Sequence, residues 1–130
     1  MTTCNCGSEQ NYEACCKLVH IDIHNAKTAE MLMRSRYSAF CKADGDYLIK
    51  SQAKKHAPSS TEIKEIVSWA KSVTWVKLEV IASTHGQAND HTGTVTFKAS
   101  YFDADGMGII EEKSLFEKEN GHWVYVTGIE

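Results

Sequence analysis

At 130 residues, with 42% hydrophobic and 24% charged side chains, the sequence has the composition of one soluble globular domain plus a small appendage. Its net charge of -3 excludes the concentrated basic face that a nucleic-acid backbone demands, and no apolar run approaches the roughly 18 residues of a membrane span. The opening "MTTCNCGSEQ" lacks the basic and apolar regions of a secretory leader, so the expected compartment is the cytoplasm, where clustered thiols serve a metal or a redox role rather than structural disulfides.

The first element is "CNCGSEQNYEACC", which holds four of the five cysteines. The spacing Cys4-x-Cys6-x8-Cys15-Cys16 makes two close pairs around a short loop, the arrangement that lets one segment wrap a tetrahedral ion with four sulfurs. Zn2+ suits that set, with Cys4, Cys6, Cys15 and Cys16 as metal ligands, Gly7-Ser8 as the turn and a short helix starting at the second pair. A redox dithiol is the competing reading. His20 and His24 lie just downstream, and either could replace one sulfur, although a flanking role is the simpler assignment. The string resembles the SEC-C zinc motif first described in the SecA translocation ATPase, whose pattern is Cys-x-Cys-Gly-Ser-Gly-Lys, a tyrosine, then Cys-Cys or Cys-His. The resemblance carries the ligands to the same four cysteines and the tyrosine to Tyr12. Asn5, Glu9 and Gln10 depart from the usual proline, glycine and lysine. With that lysine absent, the resemblance does not carry the chaperone SecB over as a partner.

Next, residues 28 to 43 have helical period, with Thr28 as N-cap. At 100° per residue Leu32, Met33, Tyr37 and Phe40 form one apolar stripe with Arg36 at its centre, whereas Arg34 points to the other side and is expected to be dispensable. A guanidinium on an apolar stripe needs an acceptor, and Glu112 is the preferred partner. "DGDYLIKSQ" reads as a second short helix. A third, "EIKEIVSWAKSV", follows the single proline, with Ser59, Ser60 or Thr61 as cap candidates. The period then changes to two: "TWVKLEVIAS", "GTVTFKASYF", "GIIEEKSLFEKE" and "HWVYVTG" read as strands, with turns at Asp105-Gly106 and Asn120-Gly121. Alternation puts Glu112, Ser114 and Phe116 on one face of the third strand, and Phe116 marks that face as inward.

Other signals are weaker. "DADGMGIIEE" has its glycine at the fourth place where a calcium loop wants it at the sixth, so it is a hairpin turn. "HGQANDH" reads as an exposed loop, Cys41 as a thiol packed at a margin, and Trp69, Trp75 and Trp123 as core and rim residues.

"LMRSRYSAF", "GTVTFKASY" and "EKSLFEKENGHWVYVTG", together with the cysteines, resemble the YchJ family, in which a SEC-C motif precedes a domain similar to nuclear transport factor 2. The resemblance implies an α+β fold, helices packed on a curved antiparallel sheet to form a cone, with residues 1–26 as the zinc knuckle and linker and 27–130 as the cone domain. Some members add a second SEC-C motif at the carboxyl end, and the residues to Glu130 contain none. The family brings no established reaction. Arg36, Tyr37, Glu112, Ser114 and Phe116 form a candidate pocket inside the cone, against the plainer reading of a buried ion pair joining helix to sheet. The functional expectation is a zinc-binding interaction module: the knuckle docks on a protein partner, and the cone is scaffold or small-ligand sensor. An enzyme of isomerase or dehydratase type is the alternative. Neither nucleic acid nor membrane is expected as partner.

Overall fold

The computed structural model describes residues 3–129. Cap chemistry places its helices where the sequence signals them. The Thr28 hydroxyl accepts from the Met31 N–H at 3.1 Å and starts helix α2 (Ala29–Cys41). Asp44 caps α3 (Gly45–Lys50) through the Tyr47 N–H, and Ser59 with Glu62 forms a reciprocal capping box on α4 (Ser60–Ser72). Helix α1 (Cys16–Ile21) begins at the second cysteine pair, as expected.

Four strands follow, β1 (Thr74–His85), β2 (Thr92–Asp103), β3 (Gly106–Glu119) and β4 (His122–Gly128), in an antiparallel sheet of order β1-β2-β3-β4. At the last hairpin Asn120 and Gly121 have φ of 54° and 83°, the left-handed pair that a tight two-residue turn requires. The preceding turn is carried by Ala104-Asp105, with the Asp103 carboxylate accepting from the Asp105 N–H and Gly106 opening β3 at φ 113°. Bulges between Trp75 and Lys77, Val80 and Ala82, and Leu115 and Phe116 bend the sheet. After α3 the chain runs beside β4: Ala53 N–H donates to the Tyr125 carbonyl and Tyr125 N–H to that of Ser51, both at 2.8 Å.

Helix α2 is the axis of the molecule. Leu32, Met33, Tyr37 and Ala39 are buried, and so are Ser35 and Ser38 away from the apolar stripe. On that side the knuckle meets the helix, with His20 on the Ser35 carbonyl and Arg34 on the Cys6 carbonyl. Cys4, Cys6, Cys16, Val19 and Ile23 belong to the same apolar cluster as Leu32, Met33, Tyr47, Val95, Phe116 and Trp123.

Candidate metal centre and ligand cavity

The knuckle is closed by its backbone. Cys4 N–H donates to the Gln10 carbonyl at 2.8 Å, and Thr3 and Asn11 bridge antiparallel. Between them the chain turns through Gly7 and Glu9, at φ 84° and 69°. A side chain at Gly7 would come within 3.2 Å of the Leu78 carbonyl on β1, so glycine is needed for close approach as well as for the turn. Glu9 adopts the same left-handed conformation without being glycine, which accounts for the glycine usual at this place in the SEC-C pattern.

The four cysteines converge as expected. Their sulfurs all lie within 4.8 Å of one another, with Cys6 to Cys15 at 3.5 Å and Cys15 to Cys16 at 4.0 Å. A tetrahedral zinc with bonds of about 2.3 Å has sulfur to sulfur edges of about 3.8 Å, so the donor set fits that ion and all four thiols are free to serve. Electrostatics points the same way. Hydrogen bonding, first from Cys16, lowers the Cys6 thiol to about 4, whereas that same contact and burial push Cys16 up, and burial chiefly raises Cys15. One thiolate therefore discourages the next, and a divalent cation is what would let all four ionise together. Cys41 stands outside the group.

Neither histidine joins the sulfurs. His20 is occupied at both nitrogens: Nε2 lies 2.8 Å from the Ser35 carbonyl, which can only accept, so Nε2 donates and Nδ1 accepts from the Tyr12 hydroxyl at 2.7 Å. His24 is exposed and bonds Asp22 at 3.1 Å. His20 begins a path inward. Ser35 Oγ meets Tyr47 Oη at 2.5 Å, and Ser51 Oγ donates to the Tyr47 carbonyl and accepts from Arg36 Nη1, both at 2.7 Å.

Arg36 reaches a cavity of about 330 Å³ between α2, α4 and the sheet. All five candidate pocket residues, Arg36, Tyr37, Glu112, Ser114 and Phe116, line it, together with Met33, Phe40, Gln52, Trp69, Trp75, Phe97 and Tyr125 among others. The expected direct pair of Arg36 with Glu112 is not formed; the five ion pairs among the described residues lie elsewhere. Tyr125 stands between them. The Arg36 guanidinium sits 4.6 Å from the centre of its ring, and its hydroxyl donates to Glu112 Oε2 at 3.0 Å, beside a second donor, Ser114 Oγ, at 2.5 Å. Gly128 makes room for this carboxylate, because a Cβ there would fall 2.9 Å from Glu112 Cδ. Burial lowers Arg36 to about 10 and raises Tyr125 to about 12.

Arg34 also departs from expectation. Its Nε bonds Glu30 at 3.0 Å, and its Nη1 makes a short hydrogen bond to the carbonyl of Cys6, so it ties α2 to the backbone of a candidate ligand.

Comparison with known proteins gives the lineage. Residues 28–128 match the family model described as "YchJ, middle NTF2-like domain". The chain belongs to the YchJ family. Among YchJ-family and related UPF0225 proteins, one from Streptomyces avermitilis is 40% identical over 126 residues, covering 97% of this chain and 83% of its own length. Another, from Vibrio parahaemolyticus, is 38% identical over 130 residues, with 98% and 74% covered. Two solved SEC-C motif proteins have the same fold: one from Rhodopseudomonas palustris, at TM-score 0.85 and 27% identity over 98% of both chains, and one from Psychrobacter arcticus, at 0.81 and 29%, covering 100% of this chain and 85% of its own.

Within this YchJ-family cone the pocket residue missed by sequence reasoning is Tyr125, which carries the link between Arg36 and Glu112. Its signal was present. Counting outward from the Asn120-Gly121 turn pairs Glu119 with His122 and hence Phe116 with Tyr125, the observed register.

Proposed function

We propose that this protein is a zinc-binding interaction module whose knuckle docks on a protein partner and whose cone holds a small molecule. The observation that carries the reading is a residue-to-residue series of hydrogen bonds, passing between backbone and side chain at Ser35 and Tyr47, from Tyr12 and His20 in the knuckle through Ser51 to Arg36 at the cavity. Occupancy of the cavity and the posture of the knuckle thereby bear on the same helix, α2. The metal role is structural, since four sulfurs complete a tetrahedral ion and leave no position for substrate. Leu18 and Ile21, 47% and 68% exposed on α1, supply the apolar contact for a partner. Among the described residues no helix is long and apolar enough to cross a membrane. Free thiols throughout suit a reducing compartment, which we take to be the cytoplasm.

Binding is favoured over an isomerase or dehydratase reaction. Glu112 is engaged by two hydroxyls, and the cavity lining holds no histidine, cysteine or lysine to work with it. Elemental analysis of purified protein should give one zinc per chain, and Cys15→Ser with Cys16→Ser should lose it. Leu18→Glu with Ile21→Glu should keep zinc but release a partner captured by the unaltered chain. Zinc-free native protein, or a partner retained by that variant, refutes the corresponding half of the proposal.

A further inference from the structure

The polar end of the cavity is charged twice over, and each charge is only half satisfied. Arg36 spends Nη1 on the Leu48 carbonyl at 3.0 Å and on Ser51 Oγ; its Nε and Nη2 have no acceptor among the described residues. Those N–H groups keep accessible surface, because Ser38 Oγ is the sole fully buried side-chain nitrogen or oxygen without a partner among the described residues, and Arg36 lines the cavity. Glu112 receives both of its donors on Oε2, while Oε1 accepts from no described residue. The cavity thus offers donors on one side of Tyr125 and an acceptor on the other.

We propose, resting on the reading that the cone holds a small molecule, that its ligand is a ring-sized apolar compound with a neutral head that accepts from Arg36 and donates to Glu112, as a primary carboxamide does. A head of either charge is attracted by one of these groups and repelled by the other, whereas a neutral head with both functions meets each by a hydrogen bond. The remaining wall is apolar and largely aromatic, with Trp69, Trp75 and Phe97 taking the body of the ligand. A cavity of about 150 Å³ already accepts benzene, so 330 Å³ takes one substituted ring and a short arm.

The test uses the full zinc-loaded chain and three probes of equal size: benzamide, benzoate and benzylammonium. Titration is followed by the indole N–H signals of Trp69 and Trp75, which place binding in the cavity. Benzamide should bind at least tenfold more tightly than either ion. Arg36→Lys should reduce that preference several-fold, and Glu112→Gln should relax the rejection of benzoate. Benzoate or benzylammonium binding as tightly as benzamide overturns the head-group inference while leaving a small-molecule cone intact. No binding of any probe at millimolar concentration overturns both. If a variant fails to fold, the ranking of the three probes on the unaltered protein still decides.

Discussion

Replacing Arg34 by alanine should loosen the knuckle from the cone, although Arg34 lies on the side of α2 opposite the apolar stripe. The side chain is 22% exposed, so its contacts are only partly screened. Removing the short bond to the Cys6 carbonyl forfeits a hydrogen bond from a charged donor, about 1.5 to 3 kcal/mol. The helical pair with Glu30 adds about 0.3 to 0.5 kcal/mol. Together these give a loss of about 2 to 3.5 kcal/mol. Arg34→Lys should fall between, because one ammonium cannot reproduce a fork that reaches Glu30 and Cys6 together. Urea unfolding with an unchanged m-value measures the stability term, and transfer of the proposed zinc to a competing chelator measures the knuckle directly. A loss below about 0.5 kcal/mol with unaltered zinc release would refute the assignment of Arg34 as a strut between helix and metal loop.

Three further outcomes follow from the same geometry. Chelation should expose the amides of residues 4–26 and also those of α2, whose Leu32 and Met33 share a cluster with Cys4, Cys6 and Cys16, while the β2–β3 pair stays protected; unchanged protection in α2 would make the knuckle a detachable knob. Glu9→Gly should stabilise the protein by about 0.5 to 1 kcal/mol, since the left-handed φ costs a side chain about 1 to 2 kcal/mol and glycine entropy returns part of it; a destabilised variant contradicts this. Burial raises Tyr47 and Tyr125 to about 12 from an ordinary value near 10, so the stability they contribute is whole below about pH 10 and is lost as pH rises towards 12. Burial also raises Tyr12 and Tyr37, so phenolate absorbance should show four of the five tyrosines ionising late in the folded protein, and ionisation of Tyr47 and Tyr125 at about pH 10 without unfolding would count against the buried assignment.

The sequence was most legible where local chemistry dominates. Thr28, Asp44 and Ser59 start helices with their own side chains, and the Asn120-Gly121 turn sets the pairing of Phe116, so caps and hairpins could be read without tertiary knowledge. That the four sulfurs would converge, and that the five candidate residues would face one cavity, follows from equally local signals: cysteine spacing, the helical period of α2 and strand alternation. What failed was anything set by the packing of distant segments. Ser35 and Ser38 carry no apolar signal and yet are buried, and the Cys6 carbonyl brought against α2 converts Arg34 from surface charge to strut. The Arg36 to Glu112 pairing failed on distance along the strand: alternation gives a face but not which neighbour intervenes, and Tyr125 takes the place between them.

The two edges of the sheet have unequal exposure to strand exchange. At β4 the chain itself occupies the open ladder, since Ser51 and Ala53 take up the Tyr125 amide and carbonyl. An incoming strand would have to displace a covalently tethered one. At β1 no described segment other than β2 makes backbone hydrogen bonds to the strand, although the Gly7 turn of the knuckle lies against the Leu78 carbonyl, and protection comes chiefly from shape and charge: two bulges interrupt its regular pleat, and Lys77 and Glu79, 61% and 52% exposed, stand on it. Under conditions that partly unfold the molecule, release of the α3–α4 connection would open the β4 edge, with Val124 and Val126 newly uncovered beside it. That edge, quiet in the native state, is where aggregation of a destabilised variant should begin.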